Sequence, residues 1–85
     1  MITAAQMRAA RALLGIDQRH LSELAGVSLP TIQRMEASDG QMRGMIGTLV
    51  KIVAALDQAG IELIGENKTS LQGGRGVRLR DLNNG

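Results

Sequence analysis

The chain of 85 residues contains no Phe, Trp or Tyr, no Cys, one His and one Pro. Each absence removes a class of function. Without aromatic rings there is no platform on which bases stack, which argues against single-strand and RNA binding. Without Cys there are no disulfides, thiolate metal sites or cysteine nucleophiles, and the redox compartment is left open. His20, the one histidine, cannot by itself build a metal cluster or a catalytic triad. No spacing pairs carboxylates for acid–base work. The composition therefore points away from an enzyme, with no cofactor and no metal.

Long hydrophobic runs are also missing, so no segment reaches the length of a transmembrane helix. The opening "MITAAQMRAARALLG" carries arginine and no acid, as targeting peptides do. Arg8 and Arg11 interrupt its apolar run, however, and it flows into the next element without a cleavage-like break. It reads as a folded helix, and a cytoplasmic location without a membrane partner is expected. A chain of this length forms one domain with a small core, built here from Leu, Ile, Val, Met and Ala. Met7, Met35, Met42 and Met45 read as fillers of that aromatic-free core.

The formal net charge of +2 is unevenly placed. Up to Glu66 there are six basic and seven acidic residues. From Asn67 onward Lys68, Arg75, Arg78 and Arg80 face only Asp81. Any anion binding by the first part must rest on local placement of charge rather than on bulk attraction.

Four helices are expected. Thr3, with Gln6 three residues on, makes a capping box for a first helix to Leu14, and Gly15 stops it. Met7, Ala10 and Leu14 share one face, with Arg11 beside them. Asp17 caps a second helix, Gln18 to Ala25, with Leu21, Leu24 and Ala25 apolar. Ser28 caps a third, Leu29 to Ala37, with Pro30 in the first turn, where its missing N–H breaks no bond. "SDGQMRG" is a loop. A fourth helix runs from Met45 to Gln58 with Leu49, Ile52, Val53 and Leu56 in line, and Gly60 ends it. Two alternating runs follow, "IELIG" (61–65) and "GVRLR" (76–80), with a turn-rich, mobile stretch between them. Two strands alone are marginal in water, so they need a covering helix or a second copy.

The most specific stretch is "QRHLSELAGVSLPTIQRMEA". Leu21 and Ala25 anchor one helix and Ile32 and Met35 the next. Gly26 takes the turn, Val27 plugs the corner, and Ser22 is small where the helices cross. Bulk at Ser22, or a side chain at Gly26, is expected to clash. This is the pattern of a helix-turn-helix.

With "R-x-x-R-x-x-x-G" ahead of it, "Q-x-x-L-S-x-L-A-G-V-S" within it and "T-I-x-R-M-E" closing it, the stretch from Met7 to Leu56 resembles the phage-repressor-like (Cro/CI, XRE) family of helix-turn-helix transcription regulators. The resemblance covers roughly 50 of the 85 residues. It implies a mainly α fold: a compact four- to five-helix bundle over residues 1–60, followed by a strand-like extension at 61–85 that forms a short β-hairpin or strand pair and serves dimerisation. It implies a bacterial regulator, most often a repressor, that binds a palindromic operator in double-stranded DNA as a homodimer.

Carried over by position, the resemblance assigns Gln18 to a phosphate at the start of the second helix. Ser28, Leu29 and Pro30 fall where the recognition helix enters the groove, with Thr31, Gln33 and Arg34 along it. Arg43 falls in the loop that touches phosphate or the minor groove. Arg11 and Glu36 are assigned to a structural ion pair. Leu29 and Pro30 depart from the polar residues common at the entry. The departure shifts base reading toward Ser28, Thr31, Gln33 and Arg34, with most of it on Gln33 and Arg34, and keeps a second reading open, a protein-interaction module on the same fold (antiactivator or antitoxin-like) that does not read DNA. Arg75, Arg78 and Arg80 are candidates for an accessory DNA or partner contact, or for a solvated strand face.

Overall fold

The computed structural model describes residues 2–38, 45–65 and 72–81. Its elements are α1 (Ala4–Leu14), α2 (Gln18–Ala25), α3 (Leu29–Glu36), α4 (Ile46–Gln58), β1 (Ile61–Ile64) and β2 (Gly76–Leu79). The fold is mainly helical, with one two-stranded antiparallel sheet. Arg43, Met42, most of the expected loop after Ser38, most of the turn-rich stretch between the strands and the last four residues lie outside the described residues.

The helix boundaries follow from local chemistry. Thr3 and Gln6 form a reciprocal capping box, and Ile2 just before the cap is buried in the same cluster as Met7, four positions into the helix. This is the arrangement of a hydrophobic staple. Asp17 accepts the His20 N–H at 2.7 Å to start α2. Ser28 takes the same part for α3, with Pro30 in its first turn. Gly15 and Gly26 close α1 and α2 with φ of +69° and +67°. A Cβ built on Gly26 meets nothing within 4 Å. The requirement for glycine there is therefore its left-handed backbone, which other residues adopt at a cost of about 1 kcal/mol or more, and not the steric clash expected from the sequence. Ser22 has a second use besides being small. Its Oγ donates to the Val27 carbonyl at 2.5 Å and ties the end of α2 to the turn.

The core collects Ile2, Met7, Leu21, Ile32, Ile52, Leu56 and Ile61, all fully buried, with Met35 and Leu49 beside them. All four helices and β1 thus contribute to one interior, with Ile2 from the segment ahead of α1. Two expected core residues are not in it. Leu24 is 49% exposed and Met45 is 79% exposed. Leu24 is near the end of α2, where Leu21 and Ala25 already fill the side facing inward. Met45 precedes α4 as its N-cap and contributes no side-chain cap.

The two strands pair within the chain, Ile61 with Leu79 and Leu63 with Val77. Just beyond the ladder the Arg80 N–H donates to the Gly60 carbonyl at 2.7 Å. That makes Gly60/Arg80 a hydrogen-bonded pair, and the antiparallel alternation then makes Ile61/Leu79 and Leu63/Val77 the close, non-hydrogen-bonded pairs. Covering helices supply what two strands lack: β2 packs on α1 and β1 on α4. Gln6 fastens the sheet to α1. Its buried carboxamide donates to the carbonyls of Ile64 (3.1 Å) and Gly76 (2.9 Å) while its oxygen accepts the Thr3 N–H. Replacing Gln6 by Leu removes the return half of the capping box and both ties to the sheet. The expected loss is about 1–3 kcal/mol, read as a lowered urea midpoint with an unchanged slope.

Candidate nucleic-acid interface

The candidate site is built on α3. Its first turn is held by two hydroxyls, with Ser28 Oγ 2.8 Å from Thr31 Oγ1 and also accepting the Thr31 N–H. Ile32, Met35 and Glu36 are buried, while Pro30, Gln33, Arg34 and Ala37 are exposed. Positions 30, 33, 34 and 37 lie within about one quadrant of the helix circumference, so the outward face carries two polar side chains, Gln33 and Arg34. Among the described residues neither side chain is engaged in a hydrogen bond or ion pair. Leu29 is half-buried at the entry.

What holds this face in place is a brace at its far end. Arg11 of α1 meets Glu36 in a two-pronged contact, Nε to Oε2 at 2.6 Å and Nη2 to Oε1 at 2.7 Å. The Glu36 side chain is only 3% exposed and that of Arg11 20%. Such a fork is both strong and directional. Donating to the Glu36 carboxylate raises the Arg11 pKa above its ordinary value, against the opposing effect of burial. Arg11 also donates to the Ile16 carbonyl at 3.3 Å.

Two further side chains converge there, and both were missed as parts of the brace. Gln18 Nε2 donates to Glu36 Oε1 at 3.1 Å. One N–H of its carboxamide is therefore joined to the brace. Arg8 donates to the Glu36 backbone carbonyl, at the C-terminal end of α3, where a cation also suits the helix dipole. The signal for Arg8 was present: it lies three residues before Arg11, on the same side of α1.

Among the described residues of the tail, Arg78 and Arg80 meet carboxylates. Arg78 faces Glu62 across the strands, 3.8 Å apart and exposed. Arg80 pairs with Asp57 at 3.1 Å and donates to the carbonyls of Asp57 and Ile61. It closes the C-terminal end of α4 against the start of β1. Arg75, exposed just ahead of β2, has partners of its own. Strand alternation placed Arg78 and Arg80 on one side but was blind to the carboxylates waiting there.

His20 is exposed on α2. Among the described residues no cluster of three or more His, Asp or Glu side chains is placed to hold a metal ion. Among them, too, no helix is long and apolar enough to cross a membrane.

Comparison with known proteins adds no name to this geometry: no family model matches the chain, and no curated protein matches it.

Proposed function

We propose that the chain is a sequence-specific DNA-binding regulator, most readily a repressor, of the helix-turn-helix, phage-repressor-like kind. In this reading α2 and α3 are the two helices of the motif and α3 enters the major groove of a palindromic operator bound by a homodimer. The observation that carries it is the pair Gln33 and Arg34: exposed, unengaged and side by side on a helix braced by a partly buried ion pair. Arginine is suited to guanine O6 and N7 and glutamine to adenine N6 and N7. Ser28 and Thr31 are occupied with each other as a cap, which leaves them backbone-positioning roles. The half-buried Leu29 suits a thymine methyl. Occupancy of the operator would then control access of polymerase, without cofactor or chemistry.

The rival reading is a protein-interaction module on the same architecture. It draws support from the acidic excess over the first 66 residues and from the apolar entry at Leu29 and Pro30. Titration of labelled protein with a duplex of random sequence at low salt separates the two. DNA binding predicts amide shifts confined to the start of α2 and to residues 28–37. It also predicts an affinity that falls on the order of 10³-fold between 50 and 200 mM salt if about six phosphates are contacted. Unchanged spectra at low salt would favour the rival.

A further inference from the structure

Helix α4 is apolar on more of its surface than the fold covers. Its sequence "IGTLVKIVAALDQ" carries one cation and one acid. Leu49, Ile52, Ala55 and Leu56 face the core, yet Ile46 and Val50 are 73% and 50% exposed. Ile46, Val50, Val53, Ala54 and Asp57 fall within about 100° of one another around the helix. A helix apolar on two sides is normally covered on two sides.

We infer that this second side is covered by α4 of another copy of the chain, packed antiparallel about a two-fold axis at Val50. The inference extends the dimer assumed in the functional reading by naming its surface, and it moves that surface from the paired strands to α4.

The face is complementary to itself. Its N-terminal end stands out from the other described residues, with Met45 and Ile46 79% and 73% exposed. Its C-terminal end is a hollow of about 520 Å³ between α4 and β1, lined by Val50, Val53, Ala54, Ile61 and Leu63, with Asp57 among the charged groups at its edge. An antiparallel pair sets each protruding end over the other's hollow, twice by symmetry, as an isologous contact requires. Ile46 then faces Ala54 of the second copy, and the small alanine admits close approach.

The charges agree with this direction. The N-terminus of α4 has no side-chain cap, so its free N–H groups carry partial positive charge. The antiparallel arrangement brings Asp57 of the second copy toward them. Its carboxylate uses Oδ1 for Arg80, which leaves the other oxygen to face those groups.

Sedimentation of the full chain without DNA tests this. The expected result is a dimer at micromolar concentration. Ile46→Asp places an acid in the first turn of α4, where it favours the helix but opposes Asp57 of the second copy. It should weaken the dimer at least 100-fold while helical circular dichroism is retained. Because the chain has no cysteine, Val50→Cys gives a second readout: on the axis it should oxidise to a disulfide-linked dimer in high yield. A wild-type chain that is monomeric at high micromolar concentration overturns the inference. So does a dimer that the folded Ile46→Asp variant leaves intact, or a Val50→Cys chain that stays unlinked. These outcomes are distinct from failure of the DNA reading, because the folded Ile46→Asp monomer should still bind a single half-site with the shifts expected on α3.

Discussion

Replacing Arg11 by alanine is expected to destabilise the fold by about 3 kcal/mol, the lower part of the range for breaking a buried ion pair. The reason lies in what is left behind. Glu36, with its side chain 3% exposed, keeps only the Gln18 carboxamide as a side-chain donor, and its charge stays desolvated. The lower part of the range applies because the Arg11 side, 20% exposed, gives water an approach. Total stability for a domain of this size is on the order of 5–10 kcal/mol, so the loss should be plain in urea denaturation. Replacing both partners, Arg11→Met with Glu36→Leu, should restore most of it, since no unpaired charge remains. A single variant within 0.5 kcal/mol of wild type would show that the brace does not hold α3. The sign with pH is also fixed. Because Glu36 raises the Arg11 pKa above the ordinary guanidinium value, this contribution is fully present below that ordinary value and is lost only as pH climbs through the raised folded-state one. The Arg11 protonation step therefore adds no pH dependence between pH 5 and 9.

The second large effect concerns binding. Arg34→Ala should weaken binding to a selected operator by about 5- to 150-fold per half-site, the equivalent of 1–3 kcal/mol for one bidentate base contact. In a homodimer the loss is incurred at both half-sites. Stability should stay within about 0.5 kcal/mol of wild type, because the side chain is exposed and engages nothing in the fold. Arg34→Lys keeps the charge but not the fork. It should therefore retain binding to random DNA while losing discrimination at one base pair of each half-site. Gln33→Ala should relax specificity at a neighbouring position. If Arg34→Lys lowered binding to all sequences equally, Arg34 would be a phosphate contact and the reading of bases would fall to Gln33 alone.

Local order was largely written in the sequence. Caps and stops act over three or four residues, so Thr3 with Gln6, Asp17, Ser28, Gly15 and Gly26 marked the first three helices within a residue or so. The strands were legible from alternation. The main inward faces were legible too, as Leu21, Ile32, Leu49, Ile52 and Leu56 show; what could not be read was whether apolar residues beside those stripes also turn inward. Leu24 and Met45 look like core residues in the sequence and are exposed, and α4 has apolar residues on both sides. Long-range polar ties were equally hidden. Gln6 was legible as a cap but not as the link to the carbonyls of Ile64 and Gly76, because nothing near it in the chain points to a sheet some 60 residues away. Arg80 was read as a candidate contact or a solvated strand residue, and its tie to Asp57 and the end of α4 was not legible. Within the candidate site, the pairing of Arg11 with Glu36 came from the family resemblance, since spacing alone does not set two residues 25 positions apart against each other. The addition of Arg8 and Gln18 to that brace required the structure.

Selection of bound duplexes from a random DNA pool at physiological salt asks whether the exposed face of α3 reads a base sequence, as proposed. The expected result is enrichment of a two-fold symmetric sequence with half-site centres about 10 base pairs apart, one turn of DNA. Also expected are at least 10³-fold preference over random duplex, and loss of that preference at one position per half-site in Arg34→Lys. A pool that emerges from repeated rounds without a shared sequence, from protein shown to be folded, would contradict the proposal.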